Sequence, residues 1–438
     1  MRFVPEAGKL TTLPGPGVAG PDLQELTTMN LNRRDLLITS AGLAASLAAA
    51  TPGSSQVNAQ QPVPGPDAAP TPGLGTADVA AYRALKNEKR IDVINLRDLE
   101  AEAKTILPPY SFAYISGGSG DEWTMRENEA AFNRWVIEPR FLAGIKRPDM
   151  TTTILGSSLS LPVITAPMGG QGLAHALKEI PNVKGTSDAG TLYVDSSVSN
   201  VSLEDIAAAA TGPKWFQIYF PANRNYAREL LHRAKNAGFT AIVVTVDGTT
   251  FSNRERTIRL GISPPNLGPG NGIHTPGIDP GTTAEHKMDL NWDDVAFCQQ
   301  ETGLPVIIKG VLTPSLATEA VRQGCAGVWV SNHGGRAIDN TPAAITALPR
   351  IVQAIGGKSV IIVDGGIRRG QDVFRALALG ANATALGRPI LYGMALGGTQ
   401  GVQAVYARLK SELQMVMQLA GTANIKEITR NYVAKLDM

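Results

Sequence analysis

The sequence is short of cysteine, short of net charge, and has no unbroken apolar stretch long enough to cross a bilayer. Each shortage closes a class of function. Two cysteines, Cys298 and Cys325, cannot make a disulfide framework, and both read as small buried apolar side chains. Net charge is only +2, so neither nucleic acid nor an anionic membrane surface is an expected partner. No C-x-x-C-H haem signature occurs, and no G-x-G-x-x-G follows the first strand-like run, which argues against a dinucleotide site of the doubly wound type. No metal-ligating cluster is assigned. What the chain has is 438 residues, 43% of them hydrophobic, enough for a sizeable core, with 46 glycines and 29 prolines that mostly punctuate apolar runs.

The N-terminal region reads as an address. Arg33-Arg34 precede an apolar, alanine-rich stretch from Leu36 to Ala50, too short for a membrane span, and Val57-Asn58-Ala59 fits a small-residue cleavage site. The paired arginines resemble a twin-arginine export signal, which implies a periplasmic or secreted protein exported already folded. A retained lipid-embedded anchor is the alternative. Met29 sits just ahead of the signal and offers a second start. The expected division is an export region over 1–59, a Pro/Ala/Gly-rich linker and lead-in over 60–90, and one catalytic domain over 91–438.

From Leu161 onward, short apolar runs alternate with amphipathic segments. The runs are LPVITAPMG (161–169), TLYVDSS (191–197), KWFQIYF (214–220), AIVVTVDG (241–248), PVIIKGV (305–311), GVWVSNHGG (327–335), SVIIVDGG (359–366) and ATALGRPIL (383–391). Most are apolar throughout, as parallel strands covered on both faces should be. Helical segments such as Asn225–Ala237 and Asp372–Leu379 lie between them. Eight strand–helix units predict an α/β fold of the (β/α)₈ barrel type with an N-terminal helical extension; a doubly wound open sheet is the alternative. Polar residues gather where the runs end: Gln217, Tyr219, Thr245, Asp247, Lys309, His333, Asp364 and Arg388. In a barrel those positions form one mouth, where catalytic groups sit.

Two glycine-bearing turns, Asp364-Gly365-Gly366-Ile367-Arg368 and Gly387-Arg388, follow the last two runs and suit a phosphate cradle of backbone amides with arginine nearby; tight-turn geometry alone would also explain the glycines. Arg254 and Arg336 fall just past the fourth and sixth runs, and a guanidinium fork matches a carboxylate. His333 precedes Arg336 by three residues, and Asp247 at the end of the fourth run is placed to orient it as a base. Between Gly261 and Leu290 the chain is rich in Gly, Pro and Asn without periodicity, and reads as a mobile lid. His274 and His286, within it, read as solvated loop residues rather than ligands.

SNHGGR at 331–336 resembles the signature of the FMN-dependent 2-hydroxy acid dehydrogenases and oxidases. YISGGSGDEWT (114–124), WFQIY (215–219), LPVIIKG (304–310), RRGQDVFRALALGA (368–381) and ALGRPIL (385–391) resemble the same family, most of all its lactate oxidases. The resemblance runs from about Asp92 to the C-terminus. It implies FMN as cofactor, a small L-2-hydroxy acid as substrate, and oxygen as acceptor with release of peroxide, or else a quinone or cytochrome. It also implies a homotetramer. By the same resemblance, His333 is the base, paired with Asp247. Tyr114 and Tyr219 contact the substrate, and Arg254 and Arg336 clamp its carboxylate. Lys309 lies beside the flavin's N1–C2 region. Ser196, Gln217 and Thr245 bond the isoalloxazine, with Pro167, Met168 and Gly169 near N5. Ser331, Asp364, Gly366, Arg368, Gly387 and Arg388 complete the flavin site. Val198 departs from the pattern, because relatives carry a tryptophan or tyrosine there; a roomier, more apolar pocket is expected. A flavin barrel of the isomerase type, or an inactive binding module, gives no reason for the Arg254, His333 and Arg336 set.

Overall fold

The computed structural model describes residues 85–262, 264–265, 267, 270–271 and 285–436. The export region, the linker as far as residue 84, His274 and the middle of the expected lid lie outside the described residues. By its contacts the chain divides into Met1–Pro70 and Thr71–Met438, and every described residue is in the second unit.

All eight apolar runs are strands of one closed parallel barrel. In chain order, three short strands come first: β1 (Trp135–Ile137), β2 (Thr152–Ile154) and β3 (Ser157–Leu159). The barrel strands are β4 (Val163–Thr165), β5 (Tyr193–Ser196), β6 (Lys214–Ile218), β7 (Ile242–Thr245), β8 (Val306–Val311), β9 (Gly327–Val330), β10 (Val360–Asp364) and β11 (Ala383–Leu386). β4 through β11 pair in chain order and β11 closes on β4, so the open-sheet alternative is excluded. The last strand, β12 (Val433–Lys435), pairs antiparallel with β1 outside the barrel.

Three helices precede the barrel, α1 (Asp98–Ile106), α2 (Pro109–Ser116) and α3 (Trp123–Ala130), which is the expected N-terminal extension. The connecting helices are α4 (Ile180–Asp188), α5 (Leu203–Ala209), α6 (Arg224–Asn236), α7 (Glu255–Leu260), α8 (Trp292–Thr302), α9 (Pro314–Arg322), α10 (Ala344–Ile355), α11 (Gly370–Ala378) and α12 (Arg388–Ala420). α12 is broken at Gly398, whose φ of 60° and ψ of −135° are not helical.

Because side chains alternate along a strand, each barrel strand has an outer and an inner set. The outer set, including Val163, Phe216, Ile242, Val244, Ile308, Val328 and Val363, packs under the helices. The inner set, Ile164, Val194, Trp215, Val243, Ile307, Trp329 and Ile362, fills the barrel, and Ile154 and Leu159 of the β2–β3 hairpin join this cluster. The interior is thus a packed apolar plug. Two residues further along, the inner positions turn polar on six strands: Ser196, Gln217, Thr245, Lys309, Ser331 and Asp364, all buried. Another two residues on come Tyr219, Asp247 and His333. The period of two therefore builds a polar layer directly above an apolar one at the C-terminal mouth.

Candidate active site

His333 sits in an unusual backbone. It, Gly334 and Gly335 follow β9 with φ of 60°, 65° and 74°, three left-handed residues in a row. A non-glycine residue in that region is strained, and such strain persists only where surrounding structure holds it. Here the holding is dense. The His333 amide donates to Ser331 Oγ (3.0 Å), the Gly335 amide donates to Asn332 Oδ1 (3.1 Å), and the Asn332 and Asn128 side-chain amides bond each other reciprocally (2.8 Å). A methyl on Gly335 would meet the Met125 backbone at 2.6 Å, so α3 packs too close for any other residue.

That turn presents the imidazole to two partners. Nδ1 lies 3.1 Å from Asp247 Oδ1, and Nε2 lies 3.2 Å from the Tyr219 hydroxyl. Asp247 finds room through a β-bulge in β8. The register slips between Lys309 and Val311, and the intervening Gly310 has φ of 112°. A Cβ there would stand 2.7 Å from Asp247 Cγ. The other carboxylate oxygen of Asp247 is buried without a hydrogen-bond partner among the described residues.

Electrostatics favour a neutral histidine beside an ionised aspartate. Burial, together with the positive Lys309, pushes the His333 imidazole below its ordinary value, outweighing the pull of Asp247 in the other direction. Burial pushes the Asp247 carboxyl up, but His333 and Lys309 more than offset it, and the net shift is downward.

The arginines stand opposite. The guanidinium of Arg336 lies 4.8 Å from the Tyr114 ring centre and that of Arg254 5.4 Å. Burial and the neighbouring Arg254 bring Arg336 down to about 9, and the two cations overcome burial to lower the Tyr114 phenol. Such crowding of positive charge in a buried place calls for an anion. Arg336 is oriented by donating to the carbonyls of Tyr114 (2.5 Å) and Gly117 (2.9 Å), which ties β9's turn to α2.

Tyr114, Tyr219, Arg254, His333 and Arg336 wall a solvent-open cleft together with Pro167, Met168, Gly169, Val198, Lys309, Asp364, Gly366, Arg368, Gly387 and Arg388, and Asp247 stands behind His333. Lys309 is buried, donating to Ser331 Oγ (3.3 Å) and lying 4.0 Å from Asp364. Both oxygens of Asp364 are taken, by Ser331 Oγ (2.7 Å) and by the indole of Trp329 (3.0 Å). Ser196, Gln217 and Thr245 run as a hydrogen-bonded row from β5 to β7, each link 2.8 Å, beneath the cleft walls.

The phosphate end differs in detail from expectation. The Arg388 guanidinium donates to the carbonyls of Ile115 (3.0 Å), Gly334 (2.8 Å) and Gly117 (2.8 Å), so three of its five N–H donors are spent on the protein. Gly387 and Arg388, at the start of α12, also line the cleft, and a helix start is a place where backbone amides can receive an anion. Arg368 pairs with Glu129 at 2.9 Å. Gly366 (φ 81°) answers to packing as well as to any ligand, since a Cβ would meet the Asn128 carbonyl at 2.0 Å. An anion-binding rim at one end, a buried lysine at the floor and an apolar wall of Ala166, Pro167 and Met168 together fit FMN, with its single phosphate and flat ring system.

His286 is less solvated than expected: it is half-buried and stacked on Tyr219, ring centres 4.9 Å apart and planes within 9°. Tyr110, stacked on Tyr114 at 6.2 Å, was also missed. Nothing in local pattern marks either; only the spatial closeness of separate loops does.

The FMN-dependent dehydrogenase family model matches residues 103–435. An L-lactate oxidase of Lentilactobacillus hilgardii is 42% identical over 362 residues, 80% of this chain and 96% of that protein. Glycolate oxidase of Spinacia oleracea is 38% identical over 355 residues, 78% and 96%. Among solved structures, one described as lactate oxidase of Pediococcus acidilactici superposes with a TM-score of 0.79 at 41% identity, covering 82% of this chain and 99% of that one. A mandelate oxidase bound to benzoyl-formic acid gives 0.73 at 34% identity, covering 78% and 98%.

Proposed function

Because this chain belongs to the FMN-dependent dehydrogenase family and is an FMN-dependent enzyme that oxidises 2-hydroxy acids, we propose that it acts on an L-2-hydroxy acid larger than glycolate, with oxygen as acceptor and peroxide as by-product. The observation that carries the site assignment is the meeting of His333, backed by Asp247, with Tyr219 and the Arg254/Arg336 pair in one cleft.

In this reading Arg254 and Arg336 take the substrate carboxylate, which supplies the anion their crowding calls for. Tyr114 and Tyr219 fix the rest of the acid. The neutral His333 Nε2 accepts the hydroxyl proton, and Asp247 offsets the imidazolium charge that results. FMN supplies the acceptor for the hydride from Cα, so that the hydroxy acid becomes a 2-oxo acid. Lys309 puts a positive charge at the floor, where it would offset negative charge on the flavin. Pro167, Met168 and Gly169 form the wall beside it. Asp364, with the hydrogen-bonded Ser196, Gln217, Thr245 and Ser331 behind the cleft lining, would make its polar bed, and Gly366, Arg368, Gly387 and Arg388 would hold its phosphate end.

The size preference rests on Val198. Its side chain lines the cleft and remains 44% exposed. It packs directly on Gly169, where even a methyl would come 2.3 Å from Val198 Cγ2. A wall of glycine and valine leaves space and offers no hydroxyl. Anaerobic flavin bleaching with glycolate, lactate, 2-hydroxybutyrate and mandelate tests this; bleaching rates rising with side-chain size support it, and a strong glycolate preference overturns it.

The paired Arg33-Arg34 favour a second reading, a dehydrogenase exported through a twin-arginine signal that passes electrons to a quinone or cytochrome. Peroxide yield under air against reduction of an artificial acceptor under nitrogen separates the two. Export itself is tested by fractionating cells that carry the Arg33→Lys, Arg34→Lys double variant, which should retain the protein in the cytoplasm.

A further inference from the structure

Tyr219 is held in place from outside the barrel. It follows β6, and its amide donates to Ser197 Oγ at 3.0 Å, which fixes the backbone. Its ring is a separate problem, because a tyrosine on a strand end keeps two free torsions. One face of the ring environment is closed by Gly248: a Cβ there would come 2.6 Å from Tyr219 Cε1, so the chain after β7 passes directly against the ring edge. The flat face is covered by the His286 imidazole at 4.9 Å, nearly parallel. At the hydroxyl end lies His333, ring centre 6.2 Å away and planes within 17°. Tyr219 is thus held by His286 on its face and joined to His333 through the hydrogen bond between its hydroxyl and His333 Nε2.

His286 is itself anchored. Its residue pairs with Pro221 as an antiparallel bridge. On either side, the Lys287 amide donates to the Phe220 carbonyl (2.8 Å) and the Ala222 amide to the Glu285 carbonyl (2.9 Å). Lys287 Nζ lies 2.6 Å from Asp294 Oδ2, a buried carboxylate that also caps the start of α8. The Gly248 backbone, which borders Tyr219, also favours the protonated form of the imidazole, though burial outweighs it. Phe251 lies beyond it at 6.5 Å. So the segment that ends the long β7–α8 connection is stitched to the three residues following Tyr219, and its one aromatic side chain is laid on the Tyr219 ring.

We infer that His286 is a positioning residue: stacked on Tyr219, it fixes the ring so that the hydroxyl points at His333 and the reacting end of the substrate. It needs a flat ring, not a proton, for this task. The inference rests on the reading of Tyr219 as a substrate-contacting group.

A double-mutant cycle on the holoenzyme tests it, reading the anaerobic flavin-reduction rate at saturating hydroxy acid and the apparent substrate affinity. His286→Ala should slow reduction about tenfold while changing affinity less than threefold, because the ring of Tyr219 remains present but is no longer aimed. His286→Phe, which restores a flat ring, should recover the rate to within about twofold. In a Tyr219→Phe background, which has no hydroxyl to aim, His286→Ala should cost less than twofold. A loss that multiplies fully in the Tyr219→Phe background, a His286→Phe variant as slow as His286→Ala, or a His286→Ala rate equal to the parent each overturns the inference. If Tyr219→Phe alone leaves the rate unchanged, the role given to Tyr219 fails, and that result is distinct from the other three. The melting temperature of each variant, with flavin bound, shows whether a slow variant is merely unfolding.

Discussion

A histidine is a base only when neutral, so the direction in which its surroundings move its proton affinity decides the pH at which it works. Burial and Lys309 lower His333 from the ordinary 6.5, while Asp247 pulls it back up. The acid limb of kcat/KM should therefore fall at a pH below 6.5. Replacing Asp247 with Asn removes the directly bonded carboxylate that favours the protonated ring. The acid limb should then move to still lower pH, even as the plateau rate drops by roughly 10²–10⁴-fold for loss of the carboxylate that offsets the imidazolium. A limb that stays put or moves up would show that another group sets it; the measurement is kcat/KM from pH 4.5 to 8 for both proteins. At this scale the sequence was informative where chemistry is written in short motifs. His333, Asp247 and the two arginines could be named because each follows an apolar run. His286 could not, since its partner, Tyr219, is 67 residues away and no periodicity connects a loop to a strand end.

Elements show the same division between pattern and space. Each apolar run became a barrel strand because β-branched, two-sided burial admits little else, and the helices expected at Asn225–Ala237 and Asp372–Leu379 form within two residues of those limits. The short strands β1, β2, β3 and β12 left no such mark, because none of them lies in an extended apolar run. Nor did the bulge in β8, although LPVIIKG contains its glycine. Gly310 is where element geometry reaches the site, and Gly310→Ala makes the argument testable. The left-handed φ of 112° penalises any side chain, by upwards of about 1 kcal/mol, and the added methyl would enter the space of Asp247. Strain alone predicts a lower melting temperature with the same turnover. Displacement of Asp247 predicts loss of turnover by at least tenfold, since misplacement of about 1 Å can cost 10²-fold. The expected result is both together, measured as the melting temperature and the flavin-reduction rate of one variant. Full turnover in a destabilised protein would mean that Asp247 adjusts freely.

The whole molecule is closed by a segment that composition placed in the lead-in. Leu85 to Lys89 lie across the barrel's last helix at its break. The Leu85 carbonyl accepts from the Ala176 amide (2.6 Å), and the Asn87 carbonyl bonds His175 Nε2 (3.1 Å). The Asn87 side chain donates to the Ala395 carbonyl (3.0 Å), and the Lys89 amide donates to the Gly397 carbonyl (3.2 Å). Glu88 accepts from the amides of Thr399 (3.0 Å) and Gln400 (3.1 Å), capping the second half of α12 where Gly398 interrupts it. The first half of α12 begins at Arg388, on the rim of the cleft. A cut after Ala59 would leave this strap whole, so export and a complete barrel are compatible. A chain starting at Gln60 and one starting at Leu85 should accordingly melt together and hold flavin equally. A chain starting at Asp92 loses six hydrogen bonds, worth on the order of 1 kcal/mol each, and leaves uncapped the carbonyl end of the first half of α12 and the amide end of the second. Its melting temperature should fall by roughly 5–10 °C, allowing for the shallower dependence in a large domain. Its flavin affinity should weaken as the rim of α12 loosens. Calorimetry and flavin titration on the three chains measure both effects. An Asp92 chain as stable as the Leu85 chain would show that the strap follows the barrel rather than fastening it, and a Gln60 chain more stable than the Leu85 chain would move the true edge of the fold toward the signal.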